Sequence, residues 1–135
     1  LNGRPIAVND TANLAEACLA LPGSPAHQLH VGPMLASVVE AGADVVTSGS
    51  AISDAAMVPL GFAAGAVYPY TSPWDMAAVA IITTEAGGRI TNLRGEDQHY
   101  DTPIFGAVLS NRRIHDQLLD TVGGFINAKS QHQPQ

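Results

Sequence analysis

Basic residues are scarce in this chain. Six Lys and Arg stand against twelve Asp and Glu, a formal net charge of −6. Charge-driven binding to nucleic acid or an anionic membrane needs a basic face, so neither partner is expected. A bound phosphate would instead be held by backbone amides, helix N-termini or metal ions. Cysteine occurs once, at Cys18, which excludes an internal disulfide and a cysteine metal cluster. Set among Ala17, Leu19 and Ala20, it reads as a small core residue rather than a nucleophile. No apolar run is long enough to span a bilayer and no signal peptide is recognisable, so a reducing, cytoplasmic setting is the expectation. The chain starts at Leu1 without an initiating Met. Asn2-Gly3 is a strong two-residue hairpin turn with Ile6-Ala7-Val8 as the strand after it, and no strand precedes it. These features give the expectation of a piece of a longer protein.

What is present points to a folded domain. Hydrophobic residues make up 46% and charged residues 13% of 135 residues, too apolar for disorder and enough for one modest core. Short apolar runs predict strands at Glu16–Leu21, Ala43–Thr47, Ala66–Tyr70, Arg89–Leu93 and Ile104–Leu109. Between them lie helices predicted at Pro33–Ala41, from Ala51 behind a Ser50 cap, at Trp74–Ala86 and at Arg112–Val122. Pro59 predicts a kink or an early stop for the second helix, and Gly42 and Gly87-Gly88 end two others. Residues 129–135 are polar and read as a flexible tail. Continuous apolar strands alternating with helices indicate an α/β fold, a mainly parallel sheet flanked by helices. Ligands in such sheets lie at the carboxyl ends of the strands, which nominates the loops Gly23-Ser24, Ser48-Gly49-Ser50 and Thr71 to Asp75.

Asp75 lies in the first turn of its predicted helix. A carboxylate there is favoured by the helix dipole, so a plain cap is one reading. The other is a Mg²⁺ ligand, since magnesium takes one or two carboxylates together with waters and substrate phosphate. Gly49-Ser50-Ala51 can expose amides to an oxyanion or simply cap a helix. Glu85 looks catalytic, yet ten residues of helix separate it from Asp75, about 15 Å by helix rise, so the two cannot share an ion. Glu85 is read as structural, accepting hydrogen bonds from nearby groups. His27, His30, His99, His115 and His132 show no metal-ligand spacing and are expected in solvent or loops. Ser24, Ser50 and Ser53 lack the Gly-x-Ser-x-Gly elbow of a nucleophile.

Trp74-Asp75-x-Ala77-Ala78 followed by Glu85-Ala86-Gly87-Gly88 closely resembles the C-terminal signature of the inositol monophosphatase superfamily. Asn2-Gly3-Arg4-Pro5-Ile6-x-Val8 is similar to the family's mid-chain hairpin. Gly49-Ser50-Ala51 stands at the usual distance before the Trp-Asp pair, and Leu109-Ser110-Asn111 with Ile114-His115 resembles the closing strand and helix. The resemblance implies the C-terminal half of a layered αβαβα phosphatase fold over residues 1–128. It further implies a lithium-sensitive type of enzyme that removes phosphate from a small phosphomonoester with Mg²⁺, often as a homodimer. Asp75 matches its metal ligand. Gly49, Ser50, Ala51, Gly23 and Ser24 match its substrate loops, and Tyr68 falls at a substrate-contact position. Trp74 is expected to pack at the start of its helix; with Glu85, Gly87 and Gly88 it is assigned to structure.

The family's remaining acidic motifs, Gly-Glu-Glu and Asp-Pro-x-Asp-Gly-Thr, do not occur here. The chain alone is therefore expected to be inactive and to need the missing N-terminal half. Three positions depart from the family's pattern. Tyr68 replaces a common acidic residue, Val46 replaces an Arg, and Val79 replaces a small residue. These changes open the substrate to sugar or histidinol phosphates, or to a nucleotide 3′-phosphate. They also motivate an alternative, a non-catalytic interaction or assembly module on the same fold. An unrelated α/β binding domain with a chance match ranks last.

Overall fold

Five short strands form one sheet in the computed structural model, which describes residues 1–23 and 28–130. They are β1 (Cys18–Ala20), β2 (Asp44–Val46), β3 (Gly65–Tyr68), β4 (Arg89–Thr91) and β5 (Ala107–Ser110), in the order β2-β1-β3-β5-β4. β1 runs parallel to β2 and β3, whereas β5 pairs antiparallel with both β3 and β4. Four strands thus point one way and β5 alone is reversed, in keeping with a mainly parallel sheet. The reversal follows from the link between β4 and β5. It holds no helix to carry the chain across the sheet, and a return without a crossover leaves neighbours antiparallel.

Helices α1 (Gln28–Glu40), α2 (Ala51–Ala56), α3 (Pro73–Glu85) and α4 (His115–Ser130) cover the sheet. Successive strand residues point to opposite faces, and two cores result. Leu19, Val67 and Val108 pack with Met34 and Val38 of α1 and Leu118 and Val122 of α4. Ala20, Ala66, Tyr68 and Leu109 pack with Ala55 of α2 and Met76 and Val79 of α3. Each face therefore carries one helix pair, α1 on α4 and α2 on α3. Cys18 is partly buried, opposite Asp44 in the sheet. Burial and then that carboxylate raise the pKa of its thiol, but Cys18 belongs to neither core cluster, contrary to the core position expected of it. Among the described residues no helix is long and apolar enough to cross a membrane.

Several boundaries differ from the sequence expectation. Glu16 ends a 3₁₀ turn (Leu14–Glu16) capped by the Asn13 side chain, so β1 starts two residues later. α1 begins ahead of Pro33, which lies in its second turn. α2 stops at Ala56, three residues before Pro59. α4 starts only after Arg112, whose φ of +76° is incompatible with a helix, and continues to Ser130, through the first two residues of the expected tail. Residues 131–135 lie outside the described residues. The Asn2-Gly3 turn forms with φ of 50° and 81° and closes on a 3.0 Å bond from the Arg4 N–H to the Leu1 carbonyl. Both angles positive is the hairpin geometry that Asn-Gly favours. Ile6–Val8, however, joins no strand; the Val8 N–H donates to Ala86 O (3.0 Å) beyond the end of α3.

Candidate active-site cleft

Because β1, β2 and β3 are parallel neighbours, their carboxyl ends open on one edge of the sheet. A cleft of about 480 Å³ lies there. Pro22 and Gly23 reach it from the end of β1, and Gly49, Ala51 and Asp54 from the passage between β2 and α2. Tyr68, Tyr70, Thr71 and Ser72 reach it from the end of β3, and Asp75 from the first turn of α3. The structure therefore brings together Gly23, Gly49, Ala51, Tyr68 and Asp75 from the sequence-derived set. Ser24 and His27 lie outside the described residues.

The local chemistry explains the loop between β2 and α2. Gly49 takes φ +86°, a conformation open to glycine and strained for other residues. Ser50 does not line the cleft but stands at its edge as the α2 cap, its Oγ accepting from the Ser53 N–H at 3.4 Å. Asp54 was not foreseen. Its side chain is 1% exposed, its Oδ1 accepts the Ser48 N–H at 2.8 Å, and its Oδ2 lies 3.5 Å from the Thr47 hydroxyl. One signal was available: Asp54 is the sole charged residue between Asp44 and Asp75.

Tyr68 is 1% exposed, and its hydroxyl has no hydrogen-bond partner among the described residues; neither does that of Thr71. Burial first, and then the charge of Asp54, push the Tyr68 phenol far above its ordinary pKa, so it stays protonated. Asp75 is half-buried, and its backbone N–H donates to Ser72 O at 3.1 Å. Ser72 caps α3 without a side-chain bond, and Pro73 supplies the preset φ of the first turn.

Trp74 does not pack as expected. It is 78% exposed and borders a separate groove with Thr102 and Pro103. The cause is helical phase. Met76, Val79, Ala80 and Thr83 form the buried face of α3, and Trp74 lies about 200° round the helix from Met76 at 3.6 residues per turn. Glu85 is exposed and borders a third groove beside Ile90 and Gln98. It accepts no hydrogen bond among the described residues, contrary to the role expected of it, and it is remote from the cleft. Gly87 and Gly88 do hold structure. Their N–H groups donate to Thr84 O (3.1 Å) and Thr83 O (2.8 Å), a Schellman ending with Gly87 at φ +89°. A Cβ on Gly88 would stand 2.6 Å from Ser110 O.

His115 corrects the expectation of a solvated histidine. It is 1% exposed, between Thr91 Oγ1 (2.9 Å from Nε2) and Ser110 Oγ (2.7 Å from Nδ1). The Thr91 hydroxyl donates to Asn92 O and must accept from His115. The ring, kept neutral by burial, then accepts at Nδ1 from the Ser110 hydroxyl, whose oxygen also accepts from the Arg112 N–H. The ring is therefore the neutral Nε2–H tautomer.

Among the described residues no three His, Cys, Asp or Glu side chains lie close enough to hold a metal ion. Asp54 and Asp75 both line the cleft from the first turns of their helices. Asp54 is buried and bonded to the Ser48 N–H, whereas Asp75, half-buried, suits an oxygen-seeking cation as one ligand of several.

With this geometry established, the chain can be placed among known proteins. Residues 1–126 match the model of the inositol monophosphatase family, and the chain belongs to that family. A fructose-1,6-bisphosphatase/inositol-1-monophosphatase of Thermotoga maritima is 32% identical over 125 residues, covering 93% of this chain and 47% of that protein. A histidinol-phosphatase of Streptomyces coelicolor is 46% identical over 61 residues, 45% of this chain and 20% of that protein. In three dimensions, the IMPase of Thermotoga maritima superposes with a TM-score of 0.82 at 27% identity, covering 94% of this chain and 48% of that one. The inositol monophosphatase of Anabaena gives 0.81 at 28%, covering 91% and 49%. The chain thus spans about half the length, or less, of these relatives.

Proposed function

We propose that the complete protein carrying this chain hydrolyses a small phosphomonoester with Mg²⁺, and that residues 1–128 form the C-terminal half of that enzyme. The observation that carries the reading is the convergence of Asp75 with Gly23, Gly49 and Tyr68 on one cleft at the carboxyl ends of three strands. Asp75 would supply one ligand to the magnesium. Magnesium held there would supply Lewis-acid activation of the phosphate ester and of the attacking water. The backbone of Gly49 to Ala51, with Gly23 and Ser24, orients the ester. The protonated Tyr68 offers a neutral hydrogen-bonding group to its alcohol portion. A neutral phenol at this position, where an acidic residue is common, fits a sugar phosphate or a histidinol phosphate as well as an inositol phosphate. The similarity to both a fructose-bisphosphatase/inositol-monophosphatase and a histidinol-phosphatase supports this range. A cytoplasmic homodimer completes the reading.

One carboxylate cannot assemble the metal site, so the isolated chain should be inactive. The test compares Mg²⁺-dependent phosphate release by the isolated chain and by the complete protein. Turnover only by the complete protein is the expected result; metal-dependent turnover by the isolated chain contradicts it.

A further inference from the structure

Asp54 is a buried charge that the proposed chemistry does not use. A carboxylate taken out of water is costly unless its partners are well placed. Those of Asp54 are the Ser48 N–H at 2.8 Å, a charge-assisted bond, and the Thr47 hydroxyl at the long distance of 3.5 Å. Its position near the start of α2 adds a favourable helix dipole. Both contacts lie within the loop that carries Gly49, where the backbone already takes φ +86°. With one oxygen engaged by the Ser48 amide and the side chain 1% exposed, Asp54 is poorly placed to serve as a metal ligand.

We propose that Asp54 is a positioning residue: its carboxylate clamps Thr47 and Ser48 so that Gly49 and Ala51 present their backbone to the cleft in one shape. Substrate affinity then depends on Asp54, although it touches neither substrate nor metal. The inference rests on the phosphatase reading. It goes beyond that reading by assigning the loop's shape to a single side chain.

The decisive experiment uses three substitutions in the complete protein, assayed on glycerol 2-phosphate with Mg²⁺. Asp54→Asn keeps an acceptor for the Ser48 amide and turns an NH₂ to the Thr47 hydroxyl, which can accept it. Its KM should stay within about threefold of the parent. Asp54→Ala removes the acceptor, and Asp54→Leu removes it while filling the space, so that a fold lost to a cavity is not mistaken for a lost clamp. Both should raise KM by about tenfold to a hundredfold with kcat nearly unchanged. Amide hydrogen exchange gives an independent reading on the loop. The Ser48 N–H should be protected in the parent and in Asp54→Asn and fast in Asp54→Ala. A fall in kcat at constant KM, or a protected Ser48 amide in Asp54→Ala, would overturn the inference. Failure of the parent protein to hydrolyse glycerol 2-phosphate, inositol 1-phosphate, sugar phosphates and histidinol phosphate would overturn the phosphatase reading, and with it the role in affinity. The exchange result would still report on the clamp alone.

Discussion

The imidazole of His115 and the hydroxyl of Ser110 meet at 2.7 Å in the core, joining the first turn of α4 to the end of β5. Burial first, and then the nearby Arg89 charge, lower the His115 pKa from 6.5 to about 4. Between those values the unfolded chain binds a proton that the folded chain refuses. This contribution to stability is therefore complete above pH 6.5 and is lost as the pH falls toward 4. The loss should be on the order of 3 kcal/mol at about 1.4 kcal/mol per pH unit. Denaturant midpoints measured from pH 7.5 to 4.5 should fall accordingly, and His115→Gln should flatten the slope between pH 7 and 5. An equal slope in the variant would remove His115 as its source.

Gly88 packs its backbone against β5 so closely that a Cβ would meet Ser110 O at 2.6 Å and Thr83 Cγ2 at 2.8 Å. Gly88→Ala should therefore destabilise the chain by about 1–3 kcal/mol. Thermal melting checks this, and a midpoint matching the parent's would show that α3 and β5 are less closely apposed.

Tyr68 separates stability from function. Its hydroxyl is buried and unpartnered among the described residues, a group that costs free energy when left so. Tyr68→Phe should leave the fold as stable as the parent or improve it by about 1 kcal/mol. In the complete protein the same change should raise KM for an inositol or sugar phosphate if the hydroxyl serves the substrate's alcohol portion. Clear destabilisation would mean that the hydroxyl has a structural partner.

The fold was legible because its signals are local. Apolar runs such as Leu19-Ala20-Leu21 and Ala107-Val108-Leu109 bury both faces of a strand. Pro73, Gly87 and Gly88 mark the ends of α3, and Asn2-Gly3 sets its own turn. The reversed direction of β5 was not legible, because strand direction follows from how the chain returns over a distance. The lining of the cleft was legible where local motifs mark it, at Asp75 and at Gly49 and Ala51. It was not where the role depends on packing. Trp74 stands in solvent because of helical phase, His115 is buried by contacts with β4 and β5, and Asp54 is buried although its hydrogen-bond partners, Thr47 and Ser48, are near it in sequence.

The most direct test of the phosphatase reading replaces Asp75 with Asn in the complete protein. Mg²⁺-dependent release of phosphate from inositol 1-phosphate, sugar phosphates and histidinol phosphate is then followed against the parent, with the fold checked by thermal melting. Loss of a metal-binding carboxylate should reduce turnover by on the order of a hundredfold or more while the fold persists. Turnover equal to the parent's in a folded Asp75→Asn protein would contradict the assignment of Asp75 to the metal and the half-site built around it.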